Sequence, residues 1–457
     1  MNLWQTIRSR FNGQGKNGTH PATGLHPYLI ENPGEQSRVH LRVDADGSGV
    51  LLINANRVLH LNPTAVLMAY LLLQKTPQAQ AVNVIRHAYS VSHQQAQSDL
   101  QTFNQQLSEL IRPDGVCPLH ELELETTTPF SARPSAPYRM DLALTYRCNN
   151  DCAHCYNLRA TNATVHAETR NTPHTAELST ADWKAVIGRC WDLGIPHIVF
   201  TGGEPTLRDD LPELVAYAQA KGQVTGLNTN ARRLADPRYV QQLVEAGLDH
   251  VQITVESHDA DLHDHLVCAK GAWKQTIAGL RNVLSTRLYV MTNTTLLQAN
   301  SSQLAATLDF LAAEGVPTVG LNALIYAGRG ASVGTGLPES ALPPLLETAR
   351  RKTDAANQRL IWYTPTEYCR FDPMALELGV KGCTAALYNM CVEPNGDVLP
   401  CQSYYHALGN LLADPWESIW NHDLSIHLRE RRYVAEKCHE CALLPECGGG
   451  CPLRRTP

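Results

Sequence analysis

The chain has 457 residues, 43% hydrophobic and 18% charged, with 38 Lys and Arg against 44 Asp and Glu. That length exceeds what one core supports, so two or three domains are expected. A net charge of -6 gives no electrostatic footprint for nucleic acid, and the longest apolar runs, such as residues 65–73, are too short to span a bilayer.

Residues 1–26, rich in Gly, Asn and Arg, read as a mobile tail without the apolar stretch of a secretory signal. Short β-prone runs at 39–42 and 50–53 flank Asp46-Gly47-Ser48-Gly49, a hairpin signal, and 57–60 is a third strand. Leu61-Asn62-Pro63-Thr64 opens a helix to about residue 74, because Asn62 can cap it and Pro63 fits its first turn. Helical patterns follow at 79–89 and 93–111, so residues 27–115 form a small winged-helix-like module. Residues 116–136, with Pro, Thr and Ser, read as a linker.

From 137 to 335 strand and helix patterns alternate. Strands are expected at 139–145, 197–201, 224–228, 250–255, 288–296 and 318–325, and helices at 180–193, 209–221, 237–246, 272–284 and 303–313. Such alternation argues for an α/β fold: a parallel sheet curved or closed by helices, with functional groups at the carboxyl ends of its strands. The polar run 159–177 interrupts it as a lid or an excursion. Residues 336–457 hold a linker helix and a small cysteine-rich domain.

Fourteen cysteines could staple a secreted protein, but three lie at 148–155 and eight between 369 and 451. Clusters without an export signal argue for metal ligation and a cytoplasmic location over disulfides. Cys117, Cys190 and Cys268 stand apart and carry no assigned role. Cys148, Cys152 and Cys155, just after the first strand of the core, supply three thiolates on one loop. Three thiolates hold three corners of a cubane iron–sulfur cluster and leave the fourth iron open, whereas a structural zinc site needs four closed ligands.

The spacing of these cysteines, followed by Phe200-Thr-Gly-Gly-Glu-Pro205, resembles the radical S-adenosylmethionine superfamily. The resemblance implies a partial barrel of six strands and a [4Fe-4S] cluster on Cys148, Cys152 and Cys155 whose free iron binds S-adenosyl-L-methionine. It also implies reductive cleavage to a 5′-deoxyadenosyl radical, with a reductant such as flavodoxin or ferredoxin. Gly202 and Gly203 would let the backbone approach the ligand, Pro205 would fix the turn, and Glu204 would accept from the ammonium group. His154 would pack near the adenine. Thr254 and Glu256 match a place near the ribose hydroxyls, while Asn228, Asn230, Asn293 and Arg329 match polar strand ends facing the same cavity.

The array Cys438-His-Glu-Cys441-Ala-Leu-Leu-Pro-Glu-Cys447-Gly-Gly-Gly-Cys451, preceded by Cys383 and by Cys401 after Gly396, resembles the SPASM extension of radical enzymes. Paired Cys-x-x-Cys sequences also occur in zinc ribbons. The resemblance implies one or two auxiliary [4Fe-4S] clusters, with Cys383, Cys401 and Cys451 in a first set and Cys438, Cys441 and Cys447 in a second. Either Cys369 or Cys391 completes the second set, or one of its irons stays open.

The passage LLINANRVLHLNPTAVLMAYLL and the later SHQQAQSDLQTFNQQLSEL resemble the PqqD-like peptide-recognition element of ribosomal peptide maturation. That likeness implies capture of a leader peptide by strand addition. Together the three resemblances imply a cytoplasmic maturase that installs a thioether or carbon–carbon cross-link in a precursor peptide, with no nucleic acid and no membrane as partner. The alternatives are action on a tetrapyrrole, sulfatase maturation, or a non-enzymatic iron–sulfur electron carrier or zinc-stabilised binding protein.

Overall fold

The computed structural model describes residues 21–32, 35–54, 57–111, 134–157 and 177–455. Most of the expected tail and linker, Cys117 and all but the last residue of the run 159–177 lie outside the described residues. Two compact units emerge, one of Met1–Ser135 with Cys190–Pro196 and one of Ala136–Arg189 with His197–Pro457.

The first unit holds strands β1 (Gly24–Asn32), β2 (Glu35–Val43), β3 (Gly49–Ile53) and β4 (Arg57–Leu61), then helices α1 (Pro63–Leu73), α2 (Gln78–Tyr89) and α3 (His93–Ile111). The strands form one antiparallel sheet in the order β1-β2-β3-β4. Asp46 accepts from the Ser48 backbone at 3.0 Å and its hydroxyl at 2.6 Å, closing the β2–β3 turn. Asn62 caps α1 through the Ala65 N–H at 2.8 Å, with Pro63 in the first turn. Val39, Leu41, Leu51 and Ile53 are buried against Val66, Ala69, Leu107 and Leu110, so one sheet face and the helices share a core.

Three strands were expected here, and the structure adds β1, which takes in residues 24–26 of the expected tail. Pro27 lies within β1 opposite His40. A proline demotes a run as strand, yet on an edge strand its missing N–H can face away from the sheet at no cost.

The second unit begins with β5 (Arg139–Thr145), α4 (Thr180–Asp192, of which Thr180–Arg189 belong to this unit), β6 (His197–Gly202), α5 (Leu211–Lys221), β7 (Val224–Thr229), α6 (Pro237–Glu245) and β8 (His250–Thr254). Next come α7 (Ala260–Val267), α8 (Ala272–Leu284), β9 (Tyr289–Leu296), α9 (Leu304–Ala313), β10 (Thr318–Ala323), α10 (Leu342–Ala355) and β11 (Arg359–Trp362). After β12 (Asn389–Val392) and β13 (Val398–Leu399) come only short helices. The sheet order is β11-β10-β9-β8-β7-β6-β5-β12-β13. Its centre, β5 to β10 in sequence order and all parallel, is the expected six-stranded core. β12, from the cysteine-rich segment, adds in parallel beside β5, and β11 adds beside β10.

The central strands have two unlike faces. Met140, Leu142, Ile198, Phe200, Leu227, Val251, Ile253, Val319 and Leu321 are fully buried on the outer face, as strands under helices require. Alternate positions, among them Asp141, Thr201, Asn228, Gln252, Thr254, Asn293 and Asn322, turn polar groups to the inner face. Functional side chains therefore share the inner face and the carboxyl-terminal rim.

Candidate functional site

Cys148, Cys152 and Cys155 lie on the loop that leaves β5, and the rim of the sheet holds that loop from several directions. At the end of β6, Gly203 N–H donates to Thr145 O at 2.7 Å and Glu204 N–H to Arg147 O at 2.9 Å. A Cβ on Gly202, whose φ is +131°, would come 2.2 Å from Thr145 O, and one on Gly203 would come 2.3 Å from Arg147 O. The close approach expected of these glycines is thus an approach to the cysteine loop itself. Asn157 Nδ2 donates to Gly202 O at 2.6 Å, and Tyr405 hydroxyl donates to Asn157 Oδ1 at 3.1 Å.

The end of β10 holds the far side of the loop. Cys155 O accepts from the backbone N–H of Arg329 at 2.9 Å and of Gly330 at 3.2 Å. Arg329 Nη1 also pairs with Asp151 Oδ1 at 2.7 Å. After β7, Asn230 Nδ2 donates to Asn149 Oδ1 at 2.6 Å and Arg232 Nη1 to Asn150 Oδ1 at 2.9 Å. The loop is thereby tied to three separate strand ends.

The remaining expected contacts divide into two groups. Glu204 is fully buried, and its Oε1 accepts from Thr206 N (3.1 Å), Thr206 Oγ1 (2.6 Å) and Thr229 Oγ1 (2.7 Å). Its Oε2 accepts the Asn230 N–H at 2.8 Å, so Glu204 straps the ends of β6 and β7, and Oε2 has the greater capacity left for a further donor. Burial raises the Glu204 pKa against the pull of those hydrogen bonds, Thr206 first. Glu256, just beyond β8, places Oε1 3.0 Å from His154 Nε2 and accepts the Thr295 N–H on Oε2 at 2.9 Å. His154 and Glu256, expected as separate contacts to adenine and ribose, meet each other. Thr254 and Asn293 stand opposite one another on β8 and β9, and Asn228 stands opposite Gln252. Pro205 starts a single turn of 3-10 helix.

The electrostatics of the loop fit a cationic metal core. Burial pushes the Cys152 thiol well above its ordinary range, and the neighbouring charges of Cys155, Glu256 and Cys148 add to the shift. Thiolates so placed repel one another unless positive charge joins them. Arg329 Nε and Nη2 are buried without a hydrogen-bond partner, two donors left for an anionic group. Among the described residues no three His, Cys, Asp or Glu side chains gather as a site for a single metal ion.

In the C-terminal segment burial raises the Cys383 thiol, with Cys451 and Cys401 next in effect. Cys451 is pushed up to about 11 by burial and then by Cys401. Gly448, Gly449 and Gly450 have φ of +63°, +76° and +76°, a left-handed run that side chains resist and that leads the chain into Cys451. Cys447 Sγ accepts the Tyr368 N–H at 3.4 Å, which brings the segment carrying Cys369 to the side of the second set. Cys391 is 1% exposed in β12, packed with Ala143, Leu399, Tyr146 and Tyr405. Cys190 is buried and Cys268 exposed.

Asn157, Tyr405 and Arg232 carry part of the loop's support and were missed in the sequence. Asn157 stands two positions after Cys155 and could have been flagged by that proximity. Tyr405 carries no local signal, because only the return of the chain brings it to the loop.

Comparison with known proteins bears on the domains of the chain. Residues 142–311 match the Radical SAM superfamily, 383–442 the SPASM iron–sulfur cluster-binding domain, and 49–110 the coenzyme PQQ synthesis protein D family. The Fe-coproporphyrin III synthase of Methanosarcina barkeri is 29% identical over 342 residues, 68% of this chain and 82% of that protein. A PqqA peptide cyclase of Xanthomonas campestris is 28% identical over 325 residues, 69% and 82% of the two chains. Streptococcus suis SuiB, solved bound to its precursor peptide SuiA, shares the fold with a TM-score of 0.66 at 16% identity, over 94% of this chain and 96% of that one. The protein anSMEcpe, solved with bound AdoMet, gives 0.55 at 15% identity over 69% and 89%. Among the described residues no helix is long and apolar enough to cross a membrane. The chain carries a Radical SAM domain, a SPASM iron–sulfur domain and a PqqD-like domain, the make-up of a radical SAM enzyme that works with a [4Fe-4S] cluster, S-adenosylmethionine and auxiliary clusters.

Proposed function

We propose that this enzyme matures a ribosomally made precursor peptide, installing a thioether or carbon–carbon cross-link. One observation carries the reading: a PqqD-like unit with open sheet edges is joined to a radical core and a SPASM domain in one chain, and SuiB shares that fold over nearly its full length. β4 is an edge strand, its Val58 is 40% exposed, and Arg57 is hydrogen-bonded to Leu110 O at the end of α3. A leader peptide adds to that edge as a further strand, with backbone hydrogen bonds giving affinity.

Cys148, Cys152 and Cys155 would hold the cluster, which with S-adenosylmethionine would supply the radical chemistry for hydrogen-atom abstraction from the substrate. Glu204 Oε2 and Asn230 would take the ammonium group, and the spare donors of Arg329 would take the carboxylate. Thr254 and the His154–Glu256 pair bound the nucleoside, while Asn228 and Asn293 line the cavity beneath it. Cys383, Cys401 and Cys451 form one auxiliary set. Cys369 joins Cys438, Cys441 and Cys447 in the other, a grouping supported by the Tyr368–Cys447 contact and by the apolar setting of Cys391. Electrons enter from a flavodoxin or ferredoxin.

A second reading, oxidation of a tetrapyrrole, is favoured by the likeness to Fe-coproporphyrin III synthase and to an AdoMet-dependent heme synthase of Nitratidesulfovibrio vulgaris, 27% identical over 325 residues. Anaerobic incubation of the reduced enzyme with peptides encoded beside its gene separates the two. A peptide product lighter by two hydrogens (about 2 Da) is expected for a new cross-link, as an oxidative coupling removes a hydrogen from each partner. An unchanged peptide alongside continuing formation of 5′-deoxyadenosine counts against the maturase.

A further inference from the structure

The inner face of the parallel sheet carries side-chain amides, two of whose oxygens the protein leaves without a partner. β8 sets Gln252 opposite Asn228 of β7, and β9 sets Asn293 opposite Thr254 and Thr295 opposite Asn322 of β10. Asn322 is 7% exposed; its Nδ2 donates to Ala323 O at 2.9 Å, while its Oδ1 is buried without a partner. Asn293 Oδ1 is likewise buried and unpartnered. Each such oxygen costs the fold about 1–3 kcal/mol, so a face that keeps two of them is built for donors from outside the chain.

The charges on this face narrow the class of ligand. β5 to β10 contain one Arg or Lys, Arg139, and one Asp or Glu, Asp141. These two pair with each other, Arg139 Nε lying 3.0 Å from Asp141 Oδ1, and Asp141 is fully buried. On β5 to β10 an entering carboxylate therefore meets no free cation, and on the outer strand β11 it meets only Arg359, at the amino end opposite Thr318; an entering ammonium meets no free carboxylate on these strands. Burying either charge unpaired is heavily penalised, whereas a peptide bond, amide or hydroxyl finds both acceptors and donors.

We propose that this amide-lined face receives an uncharged, hydrogen-bonding substrate segment, a stretch of peptide backbone with a neutral side chain at the reacting position, and that it rejects polycarboxylates. The peptide identity rests on the maturase reading above; the exclusion of charge rests on the sheet alone. The named second reading fits poorly, because the propionate groups of a coproporphyrin would need cations that these strands do not offer.

The test uses the full-length enzyme, anaerobically reconstituted, unreduced and saturated with S-adenosylmethionine. Acetylated, amidated pentapeptides differing only in the central residue are titrated and their binding is read by saturation-transfer NMR, with Fe-coproporphyrin III titrated in parallel by absorbance. Peptides centred on Asn, Gln or Ser are expected to bind at least about tenfold more tightly than those centred on Asp, Glu, Lys or Arg. Gln252→Glu and Asn322→Asp, each checked for wild-type circular dichroism, are expected to move the preference toward Lys and Arg. Equal binding of all classes, tighter binding of charged centres, or no binding of any peptide overturns the inference; the wild-type series decides this even if both variants misfold. A precursor modified at a charged residue would sink the inference and leave the maturase standing. Binding and turnover of Fe-coproporphyrin III would end both.

Discussion

His154 Nε2 stands 3.0 Å from Glu256 Oε1, joining the cysteine loop to the end of β8 in a contact where the two side chains are 9% and 1% exposed. Neither residue suggests the other in sequence, since 102 positions separate them. The pair fixes the middle of the cysteine loop from beneath, where Cys152 already feels the Glu256 charge.

Removing one side of this pair leaves the other buried without its partner. Glu256→Ala is expected to cost about 1–3 kcal/mol of unfolding free energy, as for a buried hydrogen-bonding group left without its partner, read from urea denaturation of the apoprotein. Glu256→Gln, which keeps a hydrogen-bond acceptor, is expected to cost less. Equal losses for the two variants would remove the hydrogen bond from the explanation.

The seat of the cysteine loop depends on glycine at 203. A methyl group there would stand 2.3 Å from Arg147 O and 2.7 Å from Tyr146 O, both backbone atoms that cannot give way cheaply. Gly203→Ala is expected to fold but to bind about four fewer irons per chain after reconstitution, the content of one lost cubane. Iron and sulfide assays with the absorbance of the reconstituted protein read this out, and wild-type iron content would refute it.

The cysteines of the second unit are expected to divide by metal dependence. Cys401→Ala lowers iron content and the auxiliary electron-paramagnetic signal. Cys391→Ala keeps both and costs only about 1 kcal/mol of packing, because Cys391 lies among Ala143, Leu399, Tyr146 and Tyr405. Loss of iron in Cys391→Ala would make it a ligand after all.

His197 Nε2 and His250 Nε2 are 2.8 Å apart, so one must donate and the other accept. Burial and then Arg139 lower the His250 pKa to about 4. A histidine depressed in the folded state binds its proton more readily when unfolded. Stability is therefore expected to fall as pH drops from the unfolded value of about 6.5 toward 4, and to level off below that, by an amount on the order of 3 kcal/mol. Denaturation midpoints between these pH values measure it, and His250→Gln is expected to flatten the profile in that window.

What the sequence determined by itself was local and chemical. Three cysteines at close spacing announced a cluster with an open iron, strand and helix periodicity announced the parallel core, and Asn62-Pro63 marked a helix start. These are short-range patterns, because capping, alternation and ligand spacing are written within a few residues. β1 was hidden by Pro27, whose penalty as a strand residue vanishes only at an edge that pairing with β2 creates. The tertiary structure alone decided what the polar residues do once folded. It turned Gly202 and Gly203 toward the cysteine loop, enclosed Glu204 among Thr206, Thr229 and Asn230, joined His154 to Glu256, and set β12 beside β5 so that Cys391 became core. Each outcome depends on which strand ends lie next to each other, and sheet order is settled by packing between segments hundreds of residues apart.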